Sequence, residues 1–246
     1  PQKLKTSFDP ILAPVITLKL AEGDRKAVAR QVRQVGFWII AAQAAIALAL
    51  GIPGEAVMGL IGVGFVAGRG GLAFLLAAEV VAATAAVSEA ALVYVARHRN
   101  LFISLFMLAT QAVLTVAIIV ALDIVGWPAD EGQRQGFQAR GPALGPALAL
   151  GMASVLKARL LSSLLGAPVQ GWRWPLVWAA AAALIVGYGF TSLPQAYEWT
   201  ELAIGVPLIL VTFGWAIWMR GFTHEDRELF RLKKGEEPSL PSPGTA

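Results

Sequence analysis

Cysteine is absent from the 246 residues, which excludes disulfides, thiol catalysis and any metal site built on thiolates. Histidine is nearly absent: His98 sits in a basic connection and His224 in a charged tail, where both read as solvated or lipid-headgroup neighbours rather than ligands. No HExxH, GxSxG, P-loop or Asp-rich phosphate–metal motif occurs. The GxG pieces of Gly62–Gly71 (GVGFVAGRGG) have neither a strand before them nor a soluble helix after, the context that a nucleotide fingerprint requires. Charge is scarce too. Only 15% of residues are Asp, Glu, Lys or Arg and 57% are apolar, where an ordinary soluble domain carries about 25% and about 45–50%. A soluble chain of this size with so few charges would expose large apolar patches. The composition excludes a soluble enzyme, a disordered chain and a nucleic-acid-binding domain. It points to an integral membrane protein, in which the net charge of +4 mainly sets orientation.

What the chain has in abundance is long apolar runs. They predict six full spans, at about 35–54, 71–96, 101–125, 141–165, 175–194 and 199–219, each near the roughly 20 residues that a helical crossing takes. The runs do not alternate and are rich in Ala and Leu, which favours helices over barrel strands. The expected fold class is all-α, a polytopic transmembrane helix bundle. Residues 1–220 form the membrane part and 221–246 a cytoplasmic tail. Ser7–Leu20 is apolar but too short to cross alone. It reads as the end of one more span, in a chain that is the C-terminal part of a longer protein.

Positive charge gives the orientation. Alternate connections hold Lys19, Arg25, Lys26, Arg30 and Arg33; Arg97 and Arg99; Lys157, Arg159 and Arg173; and Arg220, Arg227, Arg231, Lys233 and Lys234. The intervening connections hold only Arg69, Arg134 and Arg140. This asymmetry places the first set, and the C-terminus, in the cytoplasm. Trp127, Trp172, Trp174, Trp199 and Trp218 fall at span ends, where amphipathic rings settle. Trp127–Arg140 reads as a polar outer loop too small to fold alone, and Gly54–Gly70 as a half-embedded, broken helical stretch. Thr223 and Asp226 form a capping-box pattern that predicts a short helix through Arg231, followed by a disordered Gly235–Ala246.

Three stripes of small residues recur at spacing four: Ala78, Ala82, Ala86 and Ala90; Gly141, Gly145, Ala149 and Ala153; and Ala179, Ala183 and Gly187. Such stripes let helices approach closely in lipid. They serve either tight packing or sliding between helices that rock.

The chemistry resides in ionisable groups at lipid depth. Glu79 and Glu89 share one span, each about 7 Å from its midpoint and about 80° apart around the helix. A charge there costs at least ~2.5 kcal/mol, so both should face protein or water. They are the coupling candidates, with Gln111; Gln43, Thr84 and Ser88 can complete a polar lining. Lys157 and Arg159 lie near the inner end of the fourth expected span, where long basic side chains can snorkel to the surface. No catalytic residue and no metal ligand set is predicted.

The run Phe8-Asp9-Pro10-Ile11-Leu12-Ala13-Pro14, followed by Ala21-Glu22-Gly23-Asp24 before a basic helix and an apolar span, resembles polysaccharide-biosynthesis flippases. These belong to the multidrug/oligosaccharidyl-lipid/polysaccharide exporter superfamily. The outer stretch Val57–Gly70 and the run Gly141–Ala149 (GPALGPALA) are similar to the same family, and the resemblance covers nearly the whole chain. It implies the C-terminal lobe of a MATE-like, two-lobed, fourteen-helix transporter in the bacterial inner membrane. The substrate implied is an undecaprenyl-diphosphate-linked oligosaccharide for lipopolysaccharide, O-antigen or other surface polysaccharide. Partners would be that lipid-linked sugar, membrane lipids and the N-terminal lobe of the same protein. No cofactor is implied beyond a coupling proton or sodium ion at the carboxylates, and Lys157 and Arg159 would meet the diphosphate. Two other readings stay open: an exporter of drugs or of the peptidoglycan precursor, and a membrane-embedded enzyme of envelope synthesis.

Overall fold

A computed structural model describes residues 14, 16–125, 131–192, 198–222 and 226. Among them there is no strand, and six helices are long and apolar enough to cross a membrane. The chain is therefore an all-helical, multi-pass membrane protein. The helices are α1 (Arg25–Gly51), α2 (Gly54–Ile61), α3 (Arg69–Val95), α4 (Arg97–Val125), α5 (Glu131–Leu165), α6 (Trp174–Thr191) and α7 (Val206–Gly221). All but the short α2 belong to the six.

Local chemistry sets the breaks. Residues 16–21 are helical, and Gly23 then turns the chain at φ +76°, a conformation glycine adopts without a Cβ penalty. Asp24 follows as N-cap of α1, its carboxylate accepting from the Ala27 N–H at 2.9 Å. The Gly-Asp pair is thus a stop followed by a start. The glycine-rich stretch 54–70 is helical in two pieces, α2 and a 3₁₀ turn over Val63–Gly68, divided at Gly62. Ahead of α7, residues Glu201–Gly205 make a π turn; Pro207 sits in the first turn of α7 and has no N–H to donate to an α-helical ladder.

The contacts fix the direction of each span. Ser154 of α5 donates to the Val81 carbonyl of α3, and Lys157 reaches Glu89, so α3 and α5 run parallel. On α4 the order reverses: Lys157 meets Ser104, while Gly145 lies against Thr115. Gly36 packs near Gly171, and Ile52 packs against Gly187, which makes α1 and α6 parallel. Gly187 against Ile209 and Gly205 against Phe190 make α6 and α7 antiparallel. Successive spans therefore alternate in direction. Arg25, Arg97, Arg99, Arg159, Arg173 and Arg220 gather at one end, hereafter the basic end, with Arg69 at the other.

Packing is uneven. Helix α5 lies against both α3 and α4, whereas α3 and α4 hardly touch although Ala96 alone joins them. Helix α1 meets α3 on one side and the α6–α7 hairpin on the other. The core therefore centres on α1: Val28, Ala29, Val32, Phe37 and Ile40 are buried with Ala91, Leu92, Leu161, Ala179, Ala183, Ile209 and Phe213. Helix α4 is outermost and, among the described residues, contributes no apolar side chain to the core.

Two sequence expectations change. Most of the polar loop expected over Trp127–Arg140 is backbone helix, because α5 begins at Glu131 and runs for 35 residues. The tail also does not leave the bundle at 221: Asp226 is helical and fully buried, because polar partners on α1 and before α6 await its carboxylate. Residues 223–225 and 227–246, with the expected helix through Arg231 and disordered Gly235–Ala246, lie outside the described residues, as does most of the expected partial span over 1–20.

The small-residue stripes sort by neighbour. Gly145, Ala149 and Ala153 are buried on α5 and Ala179, Ala183 and Gly187 on α6, so both stripes are packing seams. On α3 only Ala78 of the stripe is buried, and the buried side runs on through Ala83, Thr84, Val87, Ser88, Ala91 and Leu92. Ala82, Ala86 and Ala90 are only half-buried.

Candidate functional site

The three-helix group α3–α4–α5 holds the polar interior. Lys157 projects from α5 with a side chain only 2% exposed. Its Nζ donates to Glu89 Oε2 at 2.7 Å on α3 and to Ser104 Oγ at 3.0 Å on α4. One ammonium thus ties together two helices that barely contact each other. Lys157 lies eight residues from the end of α5, Glu89 six from the end of α3 and Ser104 seven from the start of α4. At 1.5 Å per residue the pair sits about 9–12 Å inside the basic end.

The expectation that Lys157 snorkels to the surface does not hold. A carboxylate within reach offers an ion pair and spares the side chain its extension to the headgroups. Residues two apart on a helix point about 200° from each other, so Lys157 and Arg159 cannot serve one mouth. Arg159 is exposed where Lys157 is buried. The two phosphate candidates are separated, and Lys157 joins Glu89, a coupling candidate, instead.

The other candidates take different places. Glu79 is half-buried on α3 and has no hydrogen-bond or ion-pair partner among the described residues. Gln111 is half-buried on α4, seven residues and nearly two turns from Ser104 and on the same line as Thr115. Asn100 is buried one turn from Ser104. Together Asn100, Ser104, Gln111 and Thr115 form a polar line on α4, two of them in contact with α5. Two buried polar atoms in the group, Thr84 Oγ1 and Asn100 Oδ1, have no hydrogen-bond partner. Gln43 is buried on α1, away from the pair. His98 is exposed, and no group of three His, Asp or Glu among the described residues can hold a metal.

A second polar cluster was not legible as a site. The fully buried Asp226 carboxylate accepts from Gln34 Nε2 at 2.9 Å, Trp38 Nε1 at 3.4 Å and an Arg173 guanidinium nitrogen at 3.0 Å. Arg173 also lies over the Phe37 ring at 4.4 Å. Beneath it the connection from α5 to α6 touches α1 backbone to backbone: a β-carbon on Gly171 would lie 2.5 Å from the Phe37 nitrogen. Only glycine fits there. The signal available beforehand was an arginine flanked by two tryptophans, Trp172 and Trp174.

Two cavities among the described residues are apolar. One of about 590 Å³ runs between α1, α3 and α6, past Ala44, Leu48, Ala77, Val80, Ala180 and Leu184. A second of about 490 Å³ lies along α5 beside Val81. Neither includes Lys157 or a carboxylate. No family model matches the chain, and no curated protein or solved structure does so either.

Proposed function

We propose that the chain is the C-terminal lobe of a two-lobed transporter of the bacterial inner membrane, a flippase carrying undecaprenyl-diphosphate-linked oligosaccharide to the outer leaflet. The observation that carries the transport reading is Lys157, an almost fully buried cation within a span, shared between Glu89 and Ser104 on two other helices. Ionisable groups this deep are costly and mark ion or substrate paths. The buried, unpartnered Thr84 and Asn100 oxygens add to a polar interior that catalysis does not explain. The substrate rests on the sequence resemblance, which the residues Phe8–Pro14 and Ala21–Asp24 carry.

In this reading the protein is not an enzyme. Glu89, and Glu79 on the neighbouring face, bind a coupling proton or sodium ion. Ion binding at Glu89 weakens its hold on Lys157, and so couples occupancy to the spacing of α3 and α4. Arg159, exposed near the basic end, meets the diphosphate, and the C-terminus is cytoplasmic. The other wall of the central cavity comes from the N-terminal lobe, with membrane lipids around both.

The test is genetic and chemical. Deleting the gene in its host should abolish surface polysaccharide and accumulate lipid-linked oligosaccharide on the inner leaflet. Complementation with Glu89→Gln, expressed to match the wild-type protein level, should not restore export. Normal surface polysaccharide in the deletion strain would refute the flippase reading. Normal export by Glu89→Gln and Glu79→Gln would move the coupling site out of this lobe.

A further inference from the structure

The bundle divides along α1. Helices α3, α4 and α5 pack among themselves, α6 and α7 pack chiefly against each other, and only α1 meets both sets extensively. On one side the 590 Å³ groove separates α6 from α3. The hairpin is tied to α1 near each end. At the end away from the basic residues the tie is apolar: a β-carbon on Gly187 would meet Ile52 and Ile209. At the basic end the tie is Asp226, a charge that the chain carries back from beyond α7 into the bundle.

That carboxylate has an unusual set of partners. Two neutral donors, Gln34 and Trp38, come from α1. A cation, Arg173, comes from the residue before α6 and stacks on Phe37 of α1. Phe222, at the end of α7, packs edge-on against both Trp38 and Trp218. One side chain therefore joins the end of α7, the start of α6 and the first part of α1. We propose that Asp226 is a latch that holds the α6–α7 hairpin against α1, and that the hairpin is a unit able to part from α3–α4–α5 when the latch opens. The groove beside α6 leaves it free of α3, so parting breaks few contacts other than those on α1. Burial of the charge makes the latch two-state: a carboxylate with zero exposure is held by its full partner set or leaves for water, since a half-satisfied buried charge is costly. The proposal does not rest on the transport reading.

Spin labels on the full chain in lipid nanodiscs test it. One pair joins Phe102 on α4 to Trp178 on α6, and a control pair joins Phe102 to Val93 on α3; all three positions are exposed. Wild type should give one narrow distance for each pair. Asp226→Ala should add a second, longer population to the α4–α6 pair and leave the control unchanged. Asp226→Asn, which keeps an acceptor for Gln34 and Trp38 but faces Arg173 with no charge, should give a smaller second population. Should Asp226→Ala fail to fold, the Asn variant decides alone. An unchanged α4–α6 distance in the variants that fold overturns the latch. So does equal broadening of both pairs, which would mean general loosening rather than release of the hairpin.

Discussion

Glu89 and Lys157 are unequal partners, and that inequality can be measured. Lys157 is 2% exposed and Glu89 36%. Replacing Glu89 by Gln leaves an ammonium in the interior facing only neutral acceptors. Removing one member of a buried pair costs about 3–5 kcal/mol. The Gln carbonyl can still accept from Nζ, so ~3 kcal/mol is expected here. Replacing Lys157 by Met leaves a carboxylate that already reaches the surface of the bundle, so the loss should be smaller, ~1–2 kcal/mol. The double variant exchanges the pair for neutral groups of similar size, a change that is often neutral. A double-mutant cycle should then give a coupling of about 4–5 kcal/mol, above the usual range for contacting residues. Equilibrium unfolding in bicelles, followed by steric trapping, reads all four states. If Lys157→Met proves the costlier single change, or if the two changes add, the idea of a buried cation compensated by Glu89 fails.

Three further outcomes follow from geometry. Cysteines at Arg99 and at Gly64, which stand near opposite ends of the bundle, should react with an impermeant maleimide from opposite sides of the membrane; same-side labelling would break the alternating topology. A β-carbon on Gly145 would lie 2.8 Å from Thr115 Cα, whereas one on Gly214 meets nothing within 4 Å. Gly145→Ala should therefore cost ~1–3 kcal/mol by overpacking, while Gly214→Ala should be neutral or stabilising, and the same unfolding assay separates them. Asp24→Ala removes the cap on Ala27 and should cost ~1 kcal/mol, seen as faster amide exchange confined to the first turn of α1.

Helix number was legible because it follows from a one-dimensional signal, the length of the apolar runs. The ends were less so. The spans at 35–54 and 141–165 extend to Arg25 and Glu131 in the structure, since a helix continues through polar residues once it leaves the hydrocarbon. The carboxylate spacing on α3 is silent on neighbours, so Glu89 and Glu79 look alike in the sequence, where among the described residues only Glu89 has an ion-pair partner. Helical arithmetic separates Lys157 from Arg159 by about 200°, but does not say which of the two meets a carboxylate. Asp226 was out of reach, because a charged residue beyond the last span reads as solvated tail unless something shows that Gln34, Trp38 and Arg173 converge on it.

The single residue between α3 and α4 has a consequence for how the protein is made. Helices of 27 and 29 residues joined by Ala96 alone emerge as one hairpin and enter the bilayer together. Yet their interior ligands are completed only by a third helix: Glu89 precedes Lys157 by 68 residues. At ~5–20 residues per second a ribosome needs about 3–14 s to cover that distance. For those seconds Glu89 lacks the Lys157 ammonium, and α3 and α4 have little to hold them to each other. The arrival of α5 does two jobs in one step: it supplies the countercharge and inserts the surface that both arms pack on. Biogenesis of this region therefore commits late, on a helix whose entry the waiting carboxylate favours.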